Sequence, residues 1–278
     1  MNTISALIAN AREREDTFIE AVGRSAPYTT REFCTNCWKA GNLFGHYGVH
    51  PGSDVAVVFG PKPGERNNSG EETELGEETH SPVPEGTIDS ADPLLAVVGA
   101  TLIRARANLT PETPVETRAL VRPAGEQWRN RYPTTARCST LAYGGPPTQS
   151  SVVHFEAKLW SQNPTPPPET VDAETPALVA DGSTYTHGQL LAATERIIDS
   201  YGIDESTRIA FPLNPTDSNS LLADFREPGA FVAGVLVPLY CGGTMVLGSS
   251  DGATLVIGEG TETDLSVREL TAEISSVA

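Results

Sequence analysis

Two stretches of this chain repeat one pattern, and that repetition restricts the fold more than any other feature of the sequence. The first begins YTTREF at residue 28 and the second begins YTHGQL at residue 185. Each has a Tyr-Thr pair, an amphipathic segment that ends in Tyr-Gly and then Val or Ile, and an apolar segment six residues after that aliphatic residue. The pattern predicts strand, helix, turn and strand in both stretches. The sequence leaves open whether the two units share an origin or are two cases of a common motif.

Both predicted helices begin with a capping box. Thr29 precedes Glu32 by three residues, and Thr186 precedes Gln189 by the same spacing. In a capping box the threonine hydroxyl and the later side chain each accept a hydrogen bond from the other residue's backbone N–H. Helix-like and strand-like segments alternate along the rest of the chain, so we predict an α/β fold with mixed sheets and flanking helices. Helices are predicted at 3–14, 30–47, 187–201, 228–240 and 264–276, a helix leading into a strand at 93–109, and strands at 16–22, 26–29, 55–59, 117–123, 208–213, 244–248 and 252–260.

Composition divides the chain into five segments. Residues 61–92 contain no aromatic residue and many carboxylates, prolines and glycines. They cannot bury enough apolar surface to offset chain entropy, so they are predicted to form a disordered acidic loop. Residues 161–176 are predicted to be a proline-rich linker. The other segments, 1–60, 93–160 and 177–278, are predicted to be α/β structure, with the second continuing the domain of the first.

The charge of the chain limits its partners and its environment. It has 36 acidic and 19 basic residues, a net charge of −17, and 16 of the basic residues are arginine. No basic stripe exists to neutralise phosphates, so neither nucleic acid nor an anionic membrane is expected as a partner. The acidic loop accounts for part of this charge. We expect a protein of high-salt (haloarchaeal) character. The repulsion among its acidic side chains is screened in concentrated salt, because the Debye length falls to about 3 Å at 1 M.

This expectation is tested by thermal unfolding. The melting temperature should rise between dilute buffer and molar KCl. A melting temperature that stays flat over that range would contradict the high-salt character.

Apolar runs in the chain are short. The N-terminus has no run of signal-peptide length, and the longest run, 229–243, is interrupted by proline and glycine and too short to span a bilayer. The sequence therefore predicts a soluble, cytoplasmic protein.

The cysteines admit two interpretations. Four cysteines in 278 residues do not indicate a disulfide framework. Cys34 and Cys37 form a CxxC pair, which metal and redox sites use. They also fall at helical spacing with Phe33, Trp38 and Phe44, which favours two cysteines in the core of a helical face.

Histidines give further candidates. His154 and Glu156 lie in VVHFEAKLW, within 138–160, which is predicted as a strand, a Gly-Pro turn and a second strand or irregular segment. A strand would place both on one face, as a proton-transfer pair, half a metal site, or simply a polar face. His46 and His50 flank a helix end, where a capping role is sufficient. No zinc pattern and no Ser–His–Asp constellation is recognised.

Four segments carry family motifs in a fixed order. They are PYTTREFCTNCWKAGNLFGHYGVHPGSDVAVVF, LLAVVGATLIRARANLTPET, STYTHGQLLAATERIIDSYGIDESTRIAFPLN and EPGAFVAGVLVPLYCGGTMVLG. Together they resemble the front half of the large N-terminal domain of AMP-forming acyl-CoA synthetases, in the adenylate-forming superfamily. There a "yTy-x-E-L" cap leads to "L-x-x-x-G-V-x-x-G-D-x-V-A", and "P-L-x-x-G-G-T-x-V-L" comes later.

The resemblance implies a two-step reaction. A carboxylate attacks ATP to give an acyl-adenylate, and coenzyme A then displaces AMP. That chemistry needs amides, hydroxyls, a cation and Mg²⁺ around the phosphates. The sequence lacks the family's Pro-Lys-Gly, the Tyr-Gly-x-Thr-Glu adenine motif, the Thr-Gly-Asp ribose motif and the C-terminal lid with its catalytic lysine.

Two places compete for the phosphate-loop position. YGGPPTQSSVVH (143–154) has glycines and hydroxyls but no lysine, whereas ADGSTYTH (180–187) directly precedes the matching helix and is shortened. By resemblance alone, a weak remnant for ATP or AMP with Mg²⁺ is expected at the following residues: Gly182, Ser183, Thr184 and His187. His187 would begin a helix, either as a surface residue beside the cap or as a phosphate contact. No catalytic residue and no metal ligand is predicted.

Three hypotheses of function follow. The first is a degenerate relative that binds nucleotide or acyl group weakly or not at all, and acts by contact with a full-length or complementary synthetase chain. The second is one subunit of a split AMP-forming ligase whose partner supplies the missing motifs. The third is a structural module without a ligand.

Overall fold

The structure is a computed structural model that describes residues 1–21, 26–59, 91–212, 225–258 and 263–275, apart from the side chains of residues 126, 127 and 275. The predicted acidic loop lies outside these residues except for its last two, and the second of them, Asp92, begins a helix.

Helices and strands alternate as the sequence predicts. The helices are α1 (Ile4–Ala11), α2 (Thr30–His46), α3 (Asp92–Leu102), α4 (Glu126–Arg131), α5 (Phe155–Trp160), α6 (His187–Tyr201), α7 (Pro228–Phe231), α8 (Val237–Cys241) and α9 (Val267–Ser275), and a π-helical turn (Val232–Leu236) joins α7 to α8. The strands are β1 (Thr17–Ala21), β2 (Tyr28–Thr29), β3 (Asp54–Val57), β4 (Arg106–Asn108), β5 (Ala119–Pro123), β6 (Ser139–Tyr143), β7 (Val153–His154), β8 (Pro176–Ala180), β9 (Ser183–Thr186), β10 (Arg208–Pro212), β11 (Thr244–Gly248) and β12 (Leu255–Val256).

Both capping boxes are confirmed. The backbone N–H of Glu32 donates to Thr29 Oγ1, and the N–H of Thr29 donates to the Glu32 carboxylate. Thr186 and Gln189 form the same reciprocal pair at the start of α6. Local chemistry thus defines where the two repeated helices begin.

The strands form two mixed sheets. The order of the five-stranded sheet is β12-β10-β11-β1-β2, and that of the seven-stranded sheet is β7-β6-β5-β3-β4-β8-β9. All neighbours are parallel except in the hairpins β1–β2 and β8–β9, each of which ends one sheet. The predicted fold class, an α/β fold with mixed sheets and flanking helices, is confirmed.

The repeated sequence pattern is also a repeated topology. In each unit a hairpin is followed along the chain by a helix and then by three strands. These three strands belong to the sheet that contains the hairpin of the other unit. The hairpin β1–β2 therefore lies beside β11, β10 and β12, and the hairpin β8–β9 lies beside β4, β3 and β5, in the same order. The two units exchange their hairpins between the sheets.

Strand registers agree between the two units. Ile19 pairs with Tyr28 in the first hairpin and Leu178 pairs with Tyr185 in the second, and both hairpins have an irregularity one residue pair further on. The register of β3 against β4 and β5 matches that of β10 against β11 and β12. The Tyr-Thr motifs of the sequence therefore stand at equivalent positions of the fold.

A layer of helices joins the sheets. Helix α2 packs on β1 and β2, α3 packs on β3, β4, β5 and β8, and the two helices pack on each other. One hydrophobic core includes residues of both sheets and these helices, and a small second cluster lies on the outer face of the seven-stranded sheet. Within the described residues, no helix is both long and apolar enough to cross a membrane.

Candidate functional site

The hairpin β8–β9 occupies the predicted phosphate-loop position, and its loop is only two residues long. Ala180 pairs with Ser183, so that only Asp181 and Gly182 lie between the strands. Their φ angles are 47° and 77°. Two successive positive φ angles in a two-residue hairpin loop are typical of the type I′ turn, for which Asp-Gly is a preferred sequence.

Few groups at this turn are available to a phosphate. The backbone N–H of Asp181 donates to Thr110 Oγ1 at 2.7 Å. The Asp181 carboxylate adds negative charge at the exposed tip, and residues 180–187 contain no lysine or arginine. Gly182, Ser183 and Thr184 lie together here and are exposed. The turn therefore presents hydroxyls but no cation, and its one carboxylate repels phosphate.

His187 does not join these residues. Its side chain is fully buried, and its Nδ1 accepts a hydrogen bond of 3.2 Å from the backbone N–H of Ile4, at the start of α1. Burial lowers the pKa of His187 to about 4, so the imidazole is neutral at neutral pH. The prediction of a surface histidine is wrong, because α1 covers the first turn of α6. Its Nε2 atom is buried and has no hydrogen-bond partner among the described residues.

The second candidate loop lies between β6 and β7, and the carboxylate of Glu156 binds it. Gly144 and Gly145 have positive φ angles of 79° and 131°. The N–H of Gly144 donates to Glu156 Oε1 at 2.5 Å, and Glu156 Oε2 lies 3.3 Å from His154 Nε2. A carboxylate thus takes the amide that a phosphate oxygen would need.

His154 and Glu156 come together by a different route from the one that the sequence predicts. Strand β7 ends at His154, and Glu156 lies in the first turn of α5. The strand prediction for this segment is wrong beyond residue 154. A helix of six residues is too short to show a reliable apolar period, so the sequence pattern does not predict it.

The CxxC pair lies in the core. Cys34 and Cys37 are fully buried on α2, and all four cysteines are free thiols. Burial raises the pKa of Cys34 to about 12 and that of Cys37 well above its ordinary value. Such thiols are protonated and inert at neutral pH, which confirms the interpretation as core residues.

The remaining histidine candidates serve local structure. His46 is the last residue of α2, with its ring against Tyr47, and His50 contacts Ser53 through both its backbone N–H and its ring. Within the part of the chain that the structure describes, no group of three His, Cys, Asp or Glu side chains could hold a metal ion.

Solved structures identify the fold. The chain superposes on a long-chain-fatty-acid-CoA ligase from Archaeoglobus fulgidus with a TM-score of 0.62 at 13% identity, covering 92% of this chain and 51% of that one. The N-terminal domain of FACL13 from Mycobacterium tuberculosis gives 0.61 at 12% identity, covering 88% and 57%. An anthranilate CoA ligase in complex with anthranoyl-AMP gives 0.61 at 16% identity, covering 93% and 49%. No protein-family model and no curated protein matches the sequence.

These likenesses define the class of the fold. The chain has the fold of the N-terminal domain of acyl-CoA synthetases, as its motifs predict, and it spans about half the length of the CoA ligases that it matches. The likeness at 12–16% identity establishes the fold, whereas activity and ligands must be argued from the residues themselves.

Proposed function

We propose that this chain is a non-catalytic relative of the acyl-CoA synthetases, which acts by contact with a full-length or complementary synthetase chain rather than by forming an acyl-adenylate. The observation that carries the proposal is the hairpin β8–β9, where the position predicted for the family's phosphate loop holds only the turn Asp181-Gly182. Transferring phosphates need several preorganised donors and a cation. The described residues of this turn supply one acidic side chain and no cation.

The first test is nucleotide binding. Isothermal titration of the chain with ATP and with AMP, each with Mg²⁺ in molar KCl, should show no binding below millimolar at the hairpin. Thr184→Val is the matched variant, because Thr184 is exposed and lies beside the turn. ATP binding at micromolar concentration that is lost in Thr184→Val would refute the proposal.

The second test is the partner. Mixing the chain with a full-length CoA ligase from the same organism should give a complex by light scattering and should change that ligase's rate of pyrophosphate release. An unchanged rate and no complex would contradict contact with a full-length synthetase.

A split ligase is the alternative function, and the fold that the chain shares with CoA ligases is its support. In that case pyrophosphate release requires both chains together and is absent from either chain alone. Release that the partner supports by itself would exclude the split ligase.

A further inference from the structure

An open groove of about 790 Å³ lies on the outer face of the seven-stranded sheet. It is bordered by α4, β6 and the end of the loop that leads to β7. This volume is in the range of small-molecule sites, roughly 300–1,000 Å³. Neither repeated unit's hairpin lies in it, so it is separate from the Asp181-Gly182 turn, whereas residues 149 and 151–153 of its lining belong to the second candidate loop.

A buried arginine lines this groove. Arg122 on β5 is only 4% exposed and points to the same face of the sheet as Leu120, because alternate residues of a strand share a face. Its Nη1 donates to the backbone oxygens of Pro123 at 3.0 Å and Gly125 at 3.4 Å. No other hydrogen bond and no ion pair of Arg122 occurs among the described residues.

A second arginine increases the local positive charge. Arg129 on α4 also lines the groove, and burial, followed by the charge of Arg129, lowers the pKa of Arg122. Among the described lining residues there is no aspartate or glutamate. An uncompensated buried charge is expensive, and a second like charge beside it adds to that expense. The described lining residues therefore supply no anion to the two arginines.

Neutral hydrogen-bonding groups complete the lining. The hydroxyls of Thr134, Thr135, Thr140 and Ser151 and the amide of Gln149 belong to the groove. Guanidinium groups combined with hydroxyls and amides are suited to the oxygen atoms of a phosphate, and arginine binds such groups bidentately.

We propose that this groove binds the phosphate group of a small phosphorylated molecule through Arg122 and Arg129. Two cations without a described carboxylate match a dianion, as a phosphate monoester is near neutral pH. A monocarboxylate would neutralise only one of the two charges. This site does not depend on the function proposed above.

A sequence signal for the site exists. Residues 118–137 contain five arginines and a single carboxylate, Glu126, in a chain whose net charge is −17. This excess of positive charge is local, and two of the five arginines, Arg122 and Arg129, line the groove. It does not form a basic stripe, because the arginines are spread over the residue before β5, β5 itself, α4 and the loop that follows α4.

The test is a titration of the full chain with inorganic phosphate at constant ionic strength, maintained with KCl. Wild type should give saturable binding, and Arg129→Gln should weaken it roughly tenfold through the loss of one charge-assisted hydrogen bond. Arg131→Gln is the matched control, since Arg131 lies on the same short helix but stacks on the rings of Trp128 and Tyr132. The control should retain wild-type affinity. Acetate should bind at least tenfold more weakly than phosphate.

Arg122→Met provides a second variant. It should abolish phosphate binding while leaving the urea midpoint in phosphate-free buffer unchanged or higher, because it removes a buried charge that lacks a described counter-ion. If Arg122→Met does not fold, Arg129→Gln still decides. No saturable phosphate binding by wild type, equal losses in Arg129→Gln and Arg131→Gln, or equal affinity for acetate would overturn the proposal.

Discussion

Replacing Gly99 by alanine should lower the free energy of unfolding by about 2 kcal/mol or more. Gly99 lies on α3 where that helix crosses α2, and an added Cβ would stand 2.5 Å from the Ala40 Cβ and 2.9 Å from the Gly41 backbone nitrogen. A Cβ on Gly41 would in turn stand 3.1 Å from the Gly99 carbonyl oxygen. These contacts involve backbone and a side chain with no freedom to turn away, so the helices must separate. The layer that joins the two sheets would then loosen.

Gly45→Ala is the matched control for this prediction. Gly45 is also helical, lies on α2 and is exposed, and an added Cβ there meets nothing within 4 Å. Because alanine is the better helix former, this variant should be more stable by up to about 1 kcal/mol. Urea unfolding in molar KCl, followed by circular dichroism, measures both. Equal midpoints for Gly99→Ala and Gly45→Ala would show that the close crossing of α2 and α3 does not contribute to the free energy of unfolding as described.

The second large effect is a loss of stability below pH 6.5 that is due to His187. Its pKa is about 4 in the folded protein and about 6.5 in the unfolded chain. A histidine whose pKa is lowered by folding stabilises the fold fully above pH 6.5, and that stabilisation is lost as the pH falls towards 4. Between pH 7 and pH 5 the loss should be about 2 kcal/mol, at 1.36 kcal/mol for each pH unit below the unfolded pKa.

The physical reason is a hydrogen bond that only neutral imidazole can accept. Nδ1 of His187 receives the N–H of Ile4, one of the donors that a helix start leaves without an intrahelical partner. A proton on Nδ1 would end that bond and place a charge in an apolar region. Acid should therefore release α1 from the first turn of α6.

Two variants isolate this effect. His187→Asn retains an acceptor near the position of Nδ1 but cannot titrate. Over this pH range, its loss of stability should exceed the loss that the carboxylates alone cause by less than 0.5 kcal/mol. His50→Asn removes an exposed histidine and should keep the full wild-type loss. Equal pH profiles for wild type and His187→Asn would contradict the assignment.

Much of the fold follows from interactions within a few residues. The capping boxes at Thr29 and Thr186 join side chain and backbone three residues apart, and they mark both helix starts in the sequence. The predicted face of α1, with Ile4, Leu7 and Ile8, is the buried one. The sequence does not predict the helices α4 and α5, because six residues do not carry a clear period.

The candidate site was predictable only in part. The sequence predicts where the phosphate loop should stand and that it is shortened, and the Asp-Gly pair explains how the chain closes the turn there. The predicted site would also include His187, which lies only a few residues further on. That prediction took no account of α1, which covers this side chain from the other end of the sequence.

By itself the sequence determined the repeated strand, cap and helix units, because caps and apolar periods act over distances of one turn. Only the tertiary structure decided that each hairpin joins the sheet of the other unit, that His187 is sealed beneath α1, and that Arg122 and Arg129 share one groove. Those arrangements depend on which distant segments exclude water from each other. Burial, and the charges that it leaves without partners, are properties of the packed chain and not of any short stretch of it.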